Sequence, residues 1–139
     1  MIRKFLPTDI DDVMTIWLQG NLDAHPFISP HYWRKNLPAV RAAVLQASVY
    51  CYVDKDGRVC GFIGMQDDYI AGLFVARHAR GHRIGTALLT TVKESHTTLI
   101  LDVYLRNSAA LRFYRQHGFV VTNQEDGEAR MTWQAKNNL

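Results

Sequence analysis

The chain has 139 residues, 47% of them apolar and 21% charged, with a net charge of +3. That length allows one domain with a single sizeable core, and the composition is that of an ordinary soluble globular protein. The charge is too small to argue for nucleic acid by itself, and no run reaches the ~20 apolar residues of a membrane span.

Met1-Ile2-Arg3-Lys4-Phe5-Leu6-Pro7 lacks the length and cleavage pattern of a signal peptide, so the chain is expected in the cytoplasm. Residues 1–6 read as a short strand. Thr8 is placed to cap a helix whose Ile10, Val13, Met14, Trp17 and Leu18 share one face, with Gly20 as its stop. A connector over 21–28 leads to Ser29-Pro30, a cap followed by Pro at the first helical position. Trp33, Leu37, Val40 and Val44 mark the buried face of this second helix, and Pro38 is expected to break or kink it. From residue 48 the pattern changes to strands. Residues 48–53 and 59–66 pair across Asp54-Lys55-Asp56-Gly57, and a third strand spans about 69–75.

A helix opens near Arg83 with Ile84, Ala87, Leu88 and Val92 inward. Residues 98–104 form another strand. Asn107-Ser108 then caps a helix carrying Ala110, Leu111, Phe113 and Tyr114, and Gly118 stops it. Strands over 119–123 and 129–134 close the chain across a polar turn. The order β-α-α-β-β-β-α-β-α-β-β, without repeat or linker, predicts one α/β domain over 1–139. Its hairpins give the sheet a mixed, α+β character with helices on both faces. Cys51 and Cys60 flank the Asp56-Gly57 turn and read as neighbouring reduced thiols used as small core residues. Neither has a Cys or His at metal spacing, so no metal site is expected.

The most informative stretch follows the apolar run Ile70–Val75. It is Arg80-Gly81-His82-Arg83-Ile84-Gly85-Thr86, a basic, Gly-containing loop opening an amphipathic helix. The first amides of a helix lack internal partners, and its dipole favours negative charge there. Glycines admit close approach of a phosphate and arginines add charge. Six of the sixteen Lys/Arg residues cluster here and just beyond the fifth strand: Arg77, Arg80, Arg83, Arg106, Arg112 and Arg115. The segment therefore reads as a pyrophosphate cradle. It is not Gly-x-Gly-x-x-Gly and lacks Gly-Lys-Ser/Thr, which argues against dinucleotide and Walker-type sites. The absence of aromatic interleaving argues against nucleic acid as a partner.

About twenty residues further on comes Asn107-Ser108-Ala109-Ala110-Leu111-Arg112-Phe113-Tyr114-Arg115-Gln116-His117-Gly118-Phe119. With the loop at 80–85 and the element order, this resembles the GNAT superfamily of acetyl-CoA-dependent N-acetyltransferases over nearly the whole chain. Two departures stand out: Arg83 where the family usually has Gly, and Arg77 where it often has Pro. A positive φ at that glycine would strain Arg83, whereas a helical Arg83 is tolerated and adds a phosphate contact. The helical reading is preferred.

The resemblance implies acetyl transfer from acetyl-CoA to a primary amine, on a protein or a small molecule, by direct attack through a tetrahedral intermediate. It implies that the strand ending Leu73-Phe74-Val75 splays from the strand at 98–104 and holds the pantetheine arm and thioester. It further implies diphosphate binding by Arg80, Gly81, His82, Arg83, Ile84, Gly85 and Thr86, and contacts to the cofactor arm from Asn107, Ala110 and Tyr114. Tyr114 is placed as the acid that protonates the thiolate. The base is open among Asp102, which interrupts an apolar strand, His25 in the connector, and Asp67 or Asp68. Asp23, His25, Phe27, Tyr32 and Trp33 are expected to line the acceptor groove, with Glu125, Asp126 and Glu128 as an acidic rim. A non-catalytic CoA-binding sensor of the same fold is the alternative. Monomer and homodimer both remain open.

Overall fold

The computed structural model describes residues 1–136. Its strands are β1 (Ile2–Lys4), β2 (Ser48–Val53), β3 (Val59–Gln66), β4 (Tyr69–Val75), β5 (Thr98–Tyr104), β6 (Val120–Glu125) and β7 (Glu128–Gln134). Its α-helices are α1 (Ile10–Ala24), α2 (Pro30–Gln46), α3 (Ile84–Lys93) and α4 (Ser108–Gln116). The strands form one seven-stranded sheet in the order β1-β2-β3-β4-β5-β7-β6. Every neighbouring pair is antiparallel except β4 and β5.

The sheet separates two cores. On one face α1 and α2 contribute Val13, Met14, Trp17, Trp33 and Val44, packed with Val49, Cys51 and Phe62. On the other, α3 sends Ile84, Leu88, Leu89 and Val92 onto Ile63, Leu99, Leu101 and Met131. β3 has helices over both faces, so its run Val59–Met65 is buried throughout, as a doubly covered strand should be. Tyr114 and Phe113 of α4 pack at the margin of the second core.

Several expectations need correction. Thr8 does not cap α1: a single 3-10 turn (Pro7–Asp9) precedes the helix. The buried Asp9 carboxylate instead accepts from the Leu6 amide (2.7 Å) and from both Nη atoms of Arg3 (2.7 and 2.9 Å). Those guanidinium bonds hold its pKa below the usual carboxylate range. Gly20 does not stop α1, which continues to Ala24. It is a contact residue: a Cβ there would lie 2.6 Å from Cδ1 of Phe74 on β4. Pro38 does not break α2, which runs through it. Pro38 and Arg34 both lie on the exposed face, so the carbonyl that loses its partner is open to water.

Cys51 and Cys60 are not neighbours across the hairpin. Cys51 belongs to the α1/α2 core and Cys60 to the α3 core, on opposite faces of the sheet, and both thiols are free. The last hairpin is tighter than expected, with only Asp126 (φ 51°) and Gly127 (φ 80°) between β6 and β7.

Candidate active site

The parallel pair makes the site. β4 and β5 share a single register pair, Tyr69↔Ile100, beside a bond from the Ile100 amide to the Asp68 carbonyl (2.9 Å). Beyond it no ladder joins them. Leu73, Phe74 and Val75 pair only with Ile63, Phe62 and Gly61 of β3, so their other edge faces a fork. The fork opens toward the C-terminal ends of both strands, the usual ligand position in an open sheet. It holds a cavity of about 260 Å³ lined by residues 70–74 and 101–104, by Trp17, Asn21, His25 and Trp33, and by Asn107, Ala110 and Tyr114. A second cavity of about 440 Å³ shares Asn107 and is lined by Asp23, Phe27, Arg80, Arg106 and the first residues of α4.

At the mouth lies the loop before α3. Gly81 has φ 84° and Arg83 φ 59°. Arg83 is thus left-handed, and the helical reading of this residue is corrected: it is the residue before the first helical turn, where the chain reverses into α3. The first helical bond runs from the Ala87 amide to the Arg83 carbonyl. The amides of Gly81, His82, Arg83, Ile84, Gly85 and Thr86 have no partner among the described residues. Consecutive unpaired N–H groups in such a turn make an anion-binding concavity. The left-handed conformation costs a β-carbon-bearing residue about 1 kcal/mol. Arg83→Gly should therefore raise the melting temperature by about 3 °C, as a thermal melt would read.

Asn107 caps α4. Its Oδ1 accepts from the Ala110 amide (3.2 Å), which leaves Nδ2 to face Nε2 of His25 at 3.4 Å. That orientation puts the lone pair of His25 on Nε2 and its proton on Nδ1. His25 is only 8% exposed and is stacked on Trp33 (5.2 Å between centroids), with Tyr104 edge-on at 4.8 Å. Burial pushes its pKa below the ordinary histidine value. Nδ1 of His25 and Nε1 of Trp33 are buried without hydrogen-bond partners among the described residues.

Tyr114 is half-buried beside Phe113 and Phe119, and burial drives its pKa well above the usual phenol value. Asp102 is differently situated. Its carboxylate accepts from Arg130 Nε and Nη2 (3.1 and 3.0 Å) and from the Tyr69 hydroxyl (2.9 Å). The Arg130 guanidinium holds its pKa low, against a smaller opposing effect of burial. It also borders a third cavity of about 310 Å³, lined by Asn123, Glu125, Asp126, Glu128 and Arg130.

The structure thus brings His25, Asp102, Asn107, Ala110, Tyr114, Leu73 and Phe74 to one cavity, with Arg80 in the adjoining one. It does not bring in Asp67 and Asp68, which are exposed at the closed end of the fork. Asp23 is ion-paired with Arg77 and Arg80 and lines the cavity that also holds Phe27. Trp17 and Asn21, read from the sequence only as helix face and connector, also line the cavity. The signal was available: a polar residue four positions after Trp17 falls on the apolar face of the same helix.

Residues 46–121 match the family model described as an acetyltransferase (GNAT) domain. The peptidyl-lysine N-acetyltransferase YiaC of Escherichia coli (strain K12) is 34% identical over 136 residues, covering 96% of this chain and 93% of that protein. The peptidyl-lysine N-acetyltransferase YjaB of the same strain is 24% identical over 125 residues, covering 90% and 85%. Among solved structures, PaiA N-acetyltransferase from Thermoplasma acidophilum in complex with coenzyme A aligns with a TM-score of 0.86 at 18% identity, covering 97% of this chain and 98% of that one.

Proposed function

Because the chain belongs to the GNAT acetyltransferase family and is therefore an acetyl-CoA-dependent N-acetyltransferase, we propose that its acceptor is the ε-amino group of a lysine in a protein. The observation that carries the reading of the donor site is the row of unpartnered amides from Gly81 to Thr86 at the mouth of the β4–β5 fork. These amides, with Arg80 beside them, have the donor chemistry for a diphosphate. The free edge of Leu73–Val75 has the chemistry to hold an extended amide-bearing arm and to donate to a thioester carbonyl. The two cavities that meet at Asn107 give that arm a continuous path.

Transfer forms a C–N bond, breaks a C–S bond and moves two protons. Tyr114, whose raised pKa keeps it protonated, donates its hydroxyl proton to the departing sulfur and is reprotonated from water. His25 takes the proton from the attacking nitrogen at Nε2, whose lone pair turns from the long 3.4 Å contact with Asn107 Nδ2 to the incoming nitrogen. The lysine ammonium first loses one proton to water, because only the neutral amine has a lone pair for attack. The nitrogen becomes far more acidic as the C–N bond forms, and the transfer is then downhill. His25 is preferred to Asp102 because one long contact of 3.4 Å engages its Nε2, whereas Arg130 and Tyr69 hold the Asp102 carboxylate by bonds of 2.9, 3.0 and 3.1 Å.

The lysine reading is supported by the names of the two curated relatives and by the acidic cavity that Asp102 shares with the fork. A cationic side chain is drawn toward such a rim, and an acidic acceptor is repelled. Incubation with acetyl-CoA and peptides blocked at the N-terminus, followed by mass spectrometry, should give acetyl-lysine with CoA release. Turnover confined to small free amines would overturn the protein-lysine assignment.

A further inference from the structure

The two arginines nearest the amide cradle are held in place. Asp23, in the last turn of α1, accepts from Arg77 Nε and Nη2 (3.2 and 2.6 Å) and from Arg80 Nη1 (3.0 Å). Gln19, one turn earlier, donates to the same carboxylate at 3.0 Å. Arg80 has a second anchor, because its Nε donates to the Val75 carbonyl at the end of β4 (3.2 Å). Its Nη2 has no partner among the described residues, and its side chain lines the cavity of about 440 Å³. The carboxyl is held at about 2, chiefly by Arg77, so it stays charged at every working pH.

Stability does not explain this arrangement. The Arg77 and Arg80 side chains are 65% and 42% exposed, and ion pairs so open to solvent contribute little to folding. What two anchors do is fix a donor. A free arginine carries about 2 kcal/mol of rotamer entropy, part of which is lost each time it closes on a ligand. Anchored through Nε and one Nη1 hydrogen, Arg80 has that ordering done in advance and keeps its remaining hydrogens for a phosphate. The cluster of one carboxylate and two guanidinium groups still carries net positive charge.

We propose that Asp23 is a positioning residue for the acyl donor: it holds Arg80, with Arg77 as the second ligand of the same carboxylate, so that the guanidinium meets the diphosphate already oriented. This rests on the reading of the Gly81–Thr86 amides as the diphosphate cradle. It links the acceptor-side helix α1 to the donor-side loop through one side chain. The opposite role, a counter-charge that masks the arginines, predicts the opposite response to removing the carboxylate.

The test compares wild type, Asp23→Asn, Arg80→Gln and the double variant with two donors, acetyl-CoA and acetyl-pantetheine, which lacks the diphosphate. Arg80→Gln should raise the Kd for CoA about tenfold. Asp23→Asn should raise it about three- to tenfold, with kcat at saturating acetyl-CoA within about twofold of wild type. Each variant should lose a larger factor in kcat/KM with acetyl-CoA than with acetyl-pantetheine. The double variant should be no weaker than Arg80→Gln alone, because Asp23 then has nothing left to position. CoA binding by Asp23→Asn as tight as wild type or tighter, while Arg80→Gln weakens it, overturns the proposal and leaves the cradle standing. An equal loss with acetyl-pantetheine also overturns it, by showing a general structural defect. Unchanged CoA affinity in Arg80→Gln removes Arg80 from the cradle itself.

Discussion

Tyr114→Phe should lower kcat by about a hundredfold or more while leaving the Kd for CoA within about twofold. The substitution removes one oxygen and keeps the ring that packs against Phe113 and Phe119, so α4 should stay in place. The phenol oxygen makes no hydrogen bond among the described residues, so its loss orphans no partner. What disappears is a proton at the point where a thiolate would leave. Burial raises the Tyr114 pKa, so the acid form persists through neutral pH and any alkaline limb due to it lies above the ordinary phenol range. Rapid-quench measurement of the acetylated product separates the chemical step from release. A rate equal to wild type would take Tyr114 out of the mechanism.

The second large effect is expected at His25. His25→Asn should cut kcat/KM by about a hundredfold and remove the acid limb of the pH profile. Burial disfavours the imidazolium, so the folded-state pKa lies below the ordinary 6.5. The ring is therefore neutral and able to accept a proton at pH 7. It loses that ability only as the pH falls through the lowered value, so wild-type kcat/KM should fall on the acid side below 6.5. In the variant that added loss should disappear, leaving only the slope that the acceptor amine's own titration gives. A residue that only braced Trp33 and Tyr104 would alter the height of the profile and leave its acid limb in place. That outcome would return Asp102 to consideration, and Asp102→Asn would then carry the larger loss.

Much of the architecture could be read from residues alone, because periodicity reports which face is buried. The Val-, Tyr-, Phe- and Ile-rich runs at 48–53 and 59–66 about the Asp54–Gly57 turn located β2 and β3 to the residue, and the helical spacing of Ile84, Leu88 and Val92 located the start of α3. What the periodicity left out is what depends on partners distant in sequence. Gly20 looks like a helix stop until Phe74 of β4 is set against it. Asp23 looks like an unpaired surface carboxylate until the chain returns with Arg77 and Arg80. The fork is the clearest case. The runs 69–75 and 98–104 are apolar strands whether they pair or part, so composition is silent on the gap, and only the resemblance predicted it. Arg83 was misjudged for a local reason: the loop turns one residue later than the helical spacing suggested, and a side chain with a β-carbon sits where φ is 59°. Of the proposed site, Tyr114 and Asn107 were visible as a motif. The pairing of Asn107 with His25 was not, because 82 residues separate them.

The single register pair between β4 and β5 has a further consequence. Along the slot the edge of Leu73–Val75 that faces away from β3 is made of peptide groups, which every amino acid shares. Substitutions along its edges change the decoration of the wall and leave the row of carbonyls and amides intact. Lineages descended from such a scaffold are thus free to exchange Trp33, Phe27 or the hairpin carboxylates for other groups, and so to change clients, without rebuilding the apparatus that grips the donor.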